Sequence, residues 1–148
     1  ELKPILEKVK ETFKDVNKEN TGFGSTIYAV KPGDGSAREQ AASCQKVLGG
    51  WANIANEYAT KRYRSNLINW GMLPFIYKDG DKNLPFANDD YVFVPNVKKM
   101  ITDKLSTTKA YAIKKDGTIT EFELTMGDLT DDERKIILAG CLINYYRG

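Results

Sequence analysis

The sequence contains no histidine among its 148 residues. This absence excludes a Ser-His or Cys-His nucleophile pair within the chain, and every metal site that requires an imidazole. Cysteine is almost as scarce, because Cys44 and Cys141 are the only two and lie far apart in the sequence. Two thiolates are too few to hold zinc or an iron–sulfur cluster. Both cysteines lie in apolar helical patterns, which favours buried thiols over a disulfide and predicts a reducing, cytoplasmic setting.

The sequence also lacks an excess of charge of one sign and any long hydrophobic run. Lys and Arg total 22, Asp and Glu total 20, and the formal net charge is +2. This balance gives no electrostatic case for nucleic acid or an anionic membrane as the main partner. No apolar run approaches the roughly 20 residues that span a bilayer, and no signal peptide opens the sequence. The first residue is Glu1 rather than Met, which indicates a fragment of a longer polypeptide or a removed tag.

The sequence has enough hydrophobic residues to form a buried core, since 41% of its residues are hydrophobic and 11% are aromatic. Hydrophobic periodicity and turn residues predict an ordered series of helices and strands. The predicted helices cover residues 2–16, 37–48, 60–70, 96–105 and about 130–146. The predicted strands cover residues 25–30, 51–57, 73–77, 91–94, 109–114 and 118–124. Alternating strands and helices, followed by a hairpin at Asp116-Gly117, predict one compact α/β domain.

A glycine-rich turn is the strongest candidate for a functional site. Residues 33–38, GDGSAR, join a predicted buried strand to the start of a helix. The first N–H groups of a helix have no intrahelical partners, so this place favours an anion. Gly33 and Gly35 allow a positive φ and close approach of a ligand, while Arg38 suits a carboxylate. An ordinary capped helix with Arg38 in solvent fits the same pattern, and the turn matches neither a Walker loop nor a dinucleotide fingerprint.

The same turn carries a resemblance to a known family. Residues 35–42, GSAREQAA, resemble the Gly-Ser-Ser-Arg-Glu-His-Ala segment of the aconitase superfamily, and the Leu-Gly-Gly at 48–50 matches the end of the same helix. Residues 58–75, YATKRYRSNLINWGMLPF, look like the family stretch in which an Asn-Leu pair precedes Gly-Leu-Leu-Pro. Residues 139–144, AGCLIN, are similar to the end of an aconitase. In this order the motifs resemble the C-terminal swivelling domain of aconitase-type hydratases.

The resemblance implies a fold, a reaction and a set of site residues. It implies a single layered β/β/α swivelling domain over residues 1–148, with a leading helix over about 1–20. In the family this domain closes over a [4Fe–4S] cluster bound by other domains, whose iron polarises the departing hydroxyl. The resemblance further implies that Ser36 is the catalytic base and that Arg38 binds substrate, beside Gly35 and Ala37. The implied reaction is the reversible dehydration of a hydroxy-polycarboxylic acid, and the isolated domain is expected to be inactive.

The sequence departs from the family segment at particular positions, which keeps other interpretations open. Ala37 stands where the family has a second serine, and Gln40 stands where it has a histidine. These changes favour an aconitase-like hydratase with a substrate other than citrate or isocitrate. One alternative is a free-standing small subunit of an isopropylmalate-type dehydratase, with a separate large subunit as its partner. Another is a non-catalytic carboxylate- or RNA-binding module, although the basic cluster at 61–64, KRYR, is predicted to be a solvated helix face.

Overall fold

The computed structural model describes residues 3–12, 24–78 and 84–147. Its helices are α1 (Lys3–Thr12), α2 (Arg38–Val47), α3 (Lys61–Asn69), α4 (Val97–Thr102), α5 (Asp131–Ala139) and α6 (Leu142–Arg147). Its strands are β1 (Ser25–Ala29), β2 (Gly50–Ala55), β3 (Leu73–Ile76), β4 (Tyr91–Phe93), β5 (Thr107–Ile113) and β6 (Ile119–Thr125). The part of the predicted leading helix after Thr12 lies outside the described residues. Among the described residues, no helix is long and apolar enough to cross a membrane.

The strands of the described residues form one six-stranded sheet in the order β1-β2-β3-β6-β5-β4. β1, β2 and β3 are parallel, and α2 and α3 are the crossover helices that parallel pairing requires. β6, β5 and β4 are antiparallel. The two halves meet at a single residue pair, Ile76 and Thr125. The predicted α/β class is therefore confirmed, with the alternating helices and strands in the parallel half and the hairpin in the other.

Two apolar clusters fill the described structure. The larger one includes Ile54, Phe75 and Leu124, and it joins both halves of the sheet to α4 and α5. The smaller cluster consists of Ala42 from α2, Tyr63 and Leu67 from α3, and Met72. The smaller cluster fixes α2 against α3, and this contact supports the glycine-rich turn.

The predicted burial of the first strand is wrong. β1 lies at the edge of the described sheet, where it pairs only with β2. Its residues Ser25, Thr26 and Ile27 are exposed, and Ile27 keeps 43% of its surface accessible. An apolar run alone does not distinguish a central strand from an edge strand, because the difference lies in neighbours that are remote in sequence.

The predicted final helix is interrupted. Its start is confirmed, since Thr130 Oγ1 accepts from Glu133 N at 3.2 Å and Glu133 Oε1 accepts from Thr130 N at 3.0 Å. The helix ends early because Gly140 adopts a left-handed conformation with φ 91°, and α6 begins two residues later. A glycine at this position ends a helix readily because it has no Cβ to oppose a positive φ.

The cysteines are free, but their predicted burial is not borne out. Cys44 is exposed and Cys141 is half-buried. The buried residue of α2 is Ala42, and a residue two positions further on points roughly 200° around the helix axis. Cys44 therefore faces solvent. Cys141 lies outside the helices, in the short connection between α5 and α6.

Candidate functional site

The glycine-rich turn connects β1 to α2 by a sharp change of direction. Gly33 has φ 96°, a conformation that residues with a Cβ rarely adopt. The helix begins at Arg38, one residue later than predicted, and its N-cap is Ala37. Since alanine has no side-chain oxygen, α2 has no side-chain cap at its N-cap position. The far end of the helix agrees with the prediction, because Leu48 is the C-cap and Gly49 follows with φ 87°.

An open cavity of about 350 Å³ lies between this turn and the first turns of α2. It is lined by Gly33, Gly35, Ser36, Ala37, Arg38, Ala41 and Tyr63. The structure thus brings all four sequence-predicted site residues, 35 to 38, to one cavity. Ser36 is exposed and Arg38 is half-buried, so both residues are accessible to a ligand in the cavity.

The guanidinium of Arg38 is tied to the turn that precedes it. Arg38 Nε donates to the carbonyl oxygen of Gly33 at 3.2 Å. This bond engages the Nε edge, whereas Nη1 and Nη2 form the fork that can make parallel bonds to a carboxylate. Gly35, in contrast, is unconstrained by packing, because a Cβ added there would have nothing within 4 Å. The open side of the turn at Gly35 therefore gives a ligand room to approach the backbone.

Helix α3 supports the first turn of α2 through Glu39. With the Asn66 amide oriented so that both of its ends have partners, Asn66 accepts from Glu39 N at 3.1 Å and donates to Glu39 Oε2 at 3.0 Å. Trp70 Nε1 donates to the other carboxylate oxygen of Glu39 at 2.9 Å. Asn66 therefore satisfies a backbone group at the start of α2, in place of a side-chain cap from α2 itself.

Tyr63 is a cavity residue that the sequence analysis did not identify. In the sequence, Tyr63 is only the aromatic residue within the basic cluster 61–64. In the structure, it is buried against Gly33 and lines the cavity. The contact joins positions about one helix and one strand apart in the chain. No local sequence signal indicates such a contact, because it depends on how α3 packs against the turn.

The basic cluster itself has two kinds of members. Lys61 and Arg62 are exposed, as expected for a solvated face. Arg64 does not fit that prediction, because its Nη2 donates to the carbonyl oxygens of Met126 at 2.9 Å and Asp128 at 3.0 Å. Its Nη1 also lies 3.8 Å from Glu133 Oε2. The prediction of a solvated face is therefore wrong for Arg64, because at this residue α3 packs against the connection between β6 and α5.

The described residues do not fit a metal or iron–sulfur site. No group of three or more His, Cys, Asp or Glu side chains in the described ranges is placed to share a metal ion. Cys44 lies exposed on α2 and Cys141 lies beyond α5, both as free thiols. An iron–sulfur cluster takes several thiolate ligands together, and this arrangement does not supply them.

Two comparisons with known proteins bear on this site. The family model described as the aconitase C-terminal domain matches residues 9–80, a range that contains the turn, the cavity and α3. Aconitate hydratase A from Rickettsia bellii (strain RML369-C) is 27% identical over 127 residues. The aligned region covers 84% of this chain but only 14% of that relative. Over residues 9–80 the chain is therefore similar to the aconitase C-terminal domain, and along most of its length it is similar to an aconitate hydratase.

Proposed function

We propose that this chain is the swivelling domain of an iron–sulfur hydro-lyase that reversibly dehydrates a hydroxy-polycarboxylic acid. The observation that carries the proposal is the common cavity of Ser36 and Arg38 at the first turn of α2. That cavity lies inside the segment that matches the aconitase C-terminal domain. A relative named aconitate hydratase A, similar along most of the chain, supports the same reaction class.

In this proposal Ser36 is the base that removes a proton from the substrate carbon next to the hydroxyl-bearing carbon. A serine hydroxyl can act in this way only if its alkoxide form is stabilised. The first turn of α2 supplies partial positive charge, and Arg38 supplies a full positive charge on the same cavity. The proton moves to Ser36 Oγ, the electron pair of the broken C–H bond forms the double bond, and hydroxide leaves from the neighbouring carbon.

Arg38 is the group that binds a substrate carboxylate. Its Nε is held by the Gly33 carbonyl, so the Nη fork has a defined direction before substrate arrives. Gly35 and Ala37 present little bulk on the same wall of the cavity, which leaves space for the carbon skeleton beside the two functional groups. Ala37 removes a hydroxyl from this wall, so we propose a hydroxy acid other than citrate or isocitrate as the substrate.

The rest of the active site belongs, in this proposal, to other domains. The [4Fe–4S] cluster of the family has no fitting ligand set among the described residues, and we assign it to cluster-binding domains of the same polypeptide. The relative is far longer than the aligned region, which leaves room for such domains. When bound there, the cluster would supply Lewis-acid assistance to the departing hydroxyl. We accordingly expect the isolated chain to be inactive, and its two free thiols agree with a cytoplasmic location.

The experiment is a turnover measurement on the full-length protein with its cofactor restored, against a panel of hydroxylated di- and tricarboxylic acids. Ser36→Ala should lower turnover of the accepted substrate by about 10²-fold or more, the order expected for loss of a general base. Ser43→Ala is the matched control, because Ser43 lies on α2, the helix that follows Ser36, and its hydroxyl donates to Gln40 O at 3.2 Å. Wild-type turnover in Ser36→Ala would show that this hydroxyl is not the base.

A further inference from the structure

The segment that leads from β1 into the glycine-rich turn is fastened by the connection between β2 and α3. Glu57 N donates to Val30 O at 3.2 Å, and Ala59 N donates to Pro32 O at 2.9 Å. The next contact in this series comes from a side chain, because Thr60 Oγ1 donates to Gly33 O at 3.4 Å. This segment and the connection thus run side by side, and Gly33, the first residue of the turn, is the point at which the connection reaches the turn.

The carbonyl oxygen of Gly33 joins this support to the functional guanidinium. It accepts from Thr60 Oγ1 on one side and from Arg38 Nε, at 3.2 Å, on the other. A carbonyl oxygen has two lone pairs, so the two bonds match its capacity. Any change in the direction of this carbonyl would therefore change the direction in which Arg38 presents its Nη fork.

The hydroxyl of Thr60 is itself oriented. Thr60 is the N-cap of α3, and its Oγ1 accepts from Tyr63 N at 3.1 Å. Because the oxygen accepts from this N–H, the hydroxyl proton is available for a second group, which is Gly33 O. Thr60 thus links the start of α3 to the turn through one oxygen atom.

Tyr63 prevents the turn from moving towards α3. A Cβ added to Gly33 would lie 2.5 Å from Tyr63 Cβ and Cγ, so the glycine backbone already touches the ring. The ring is 2% exposed, and its hydroxyl accepts from Gln45 Nε2 at 2.8 Å and Asn53 Nδ2 at 3.1 Å. These two bonds anchor the ring to α2 and β2, so it forms a fixed wall behind Gly33.

We propose that Thr60 is a positioning residue for Arg38, acting through the Gly33 carbonyl while the Tyr63 ring holds the turn from behind. The inference names a residue of the family-like stretch 58–75, to which the resemblance assigns no role, and its catalytic consequence rests on the function proposed above. The positioning itself is a property of this chain, so it can be tested without substrate.

The first test follows the Arg38 Nε–H signal by ¹H–¹⁵N NMR in the 148-residue chain, with Arg38→Lys used to assign it. Thr60→Val removes the hydroxyl with little change of shape, whereas Thr60→Ser keeps it. We expect the Nε–H signal of Thr60→Val to shift towards that of a solvent-exposed arginine and to exchange faster, and Thr60→Ser to match the wild type. A wild-type signal in a folded Thr60→Val chain would overturn the proposal. If Thr60→Val does not fold, Thr60→Ala is the second variant, read in the same way.

The second test is kinetic and uses the full-length protein. Thr60→Val should raise KM by about tenfold with a smaller change in kcat, because a misdirected Arg38 weakens carboxylate binding. Thr60→Ser should have the KM of the wild type. In a protein that already carries Arg38→Lys, Thr60→Val should raise KM no further. Additive effects of the two substitutions would contradict action through Arg38. If Arg38→Lys and Ser36→Ala both keep wild-type kinetics, the proposed function fails, while the NMR test still decides the positioning.

Discussion

At the scale of single residues, Tyr58 shows how burial constrains a titratable group close to the site. Its hydroxyl lies 3.0 Å from Phe75 O and 3.3 Å from Asn53 O, so it is placed as a donor among carbonyl oxygens. Burial raises the pKa of Tyr58 far above its usual range, and the nearby Tyr63 adds to the shift. A phenolate at this position would lose its hydration and face acceptors only, so the neutral form is strongly favoured in the folded chain.

This shift predicts a loss of stability at alkaline pH. A tyrosine in the unfolded chain ionises near pH 10, whereas Tyr58 stays protonated at that pH in the folded chain. The unfolded state therefore releases the proton first, so the contribution of Tyr58 is complete below about pH 10 and is lost as pH rises further. Urea unfolding between neutral pH and about pH 11 should show this decline.

Tyr58→Phe is the variant that isolates this effect. It should lower the free energy of unfolding at neutral pH by about 1 kcal/mol, because the carbonyls lose a donor, and it should flatten the alkaline decline. A folded wild-type chain in which Tyr58 titrates at the ordinary tyrosine pKa would contradict the prediction.

At the scale of secondary-structure elements, the carboxyl ends of α3 and α5 meet through two glycines. Gly71 follows α3 with φ 72°, and Gly140 is the C-cap of α5 with φ 91°. A Cβ added to Gly71 would overlap the carbonyl of Gly140, which is backbone and cannot rotate away. The family-like stretch that ends in Gly-Met-Leu-Pro therefore contains a glycine that packing requires, independent of any role in a site.

Gly71→Ala should lower the free energy of unfolding by about 3 kcal/mol or more, because it combines backbone strain with a backbone overlap. Gly49→Ala is the matched control, since Gly49 has φ 87° but a Cβ there would have nothing within 4 Å. Gly49→Ala should lower the free energy of unfolding by only about 1 kcal/mol, because it introduces the strain of a positive φ without an overlap. Equal losses in thermal or urea unfolding of the two variants would show that the contact between α3 and α5 is looser than described.

Prediction from sequence succeeds for elements whose signals are local. The capping box at Thr130 and the hairpin at Asp116-Gly117 are encoded within a few neighbouring residues, and both appear where they are expected. The exposure of Ile27 and the contacts of Arg64 were not predictable in this way. They depend on which strand lies at the edge of the sheet and on what packs beside α3, and residues far along the chain decide both.

The same distinction applies to the candidate site. Residues 35–38 share a cavity because they are consecutive in a turn at the start of a helix, and this could be inferred from the motif. Thr60 and Tyr63 approach the turn only because β1 and β2 are parallel neighbours, which brings the segments that follow them together. A single sequence does not state which strands are neighbours, so these two residues required the structure.

At the scale of the whole molecule, the candidate site lies entirely in the parallel half. The segments after β1 and β2 form it, and in parallel sheets ligands bind outside the carboxyl ends of the strands. Helix α3 contacts the turn through Thr60 and Tyr63 and contacts the segment after β6 through Arg64. This helix is therefore the element that connects the site to the antiparallel half of the described structure.

The central claim is that Ser36 receives a proton from a carbon atom of the substrate. The measurement that tests it most directly is exchange of that carbon-bound hydrogen with deuterated solvent, catalysed by the full-length protein with its cofactor restored. The wild type and Ser43→Ala should exchange the hydrogen at equal rates, and Ser36→Ala should be slower by about 10²-fold or more. Exchange at the wild-type rate in Ser36→Ala would contradict the account.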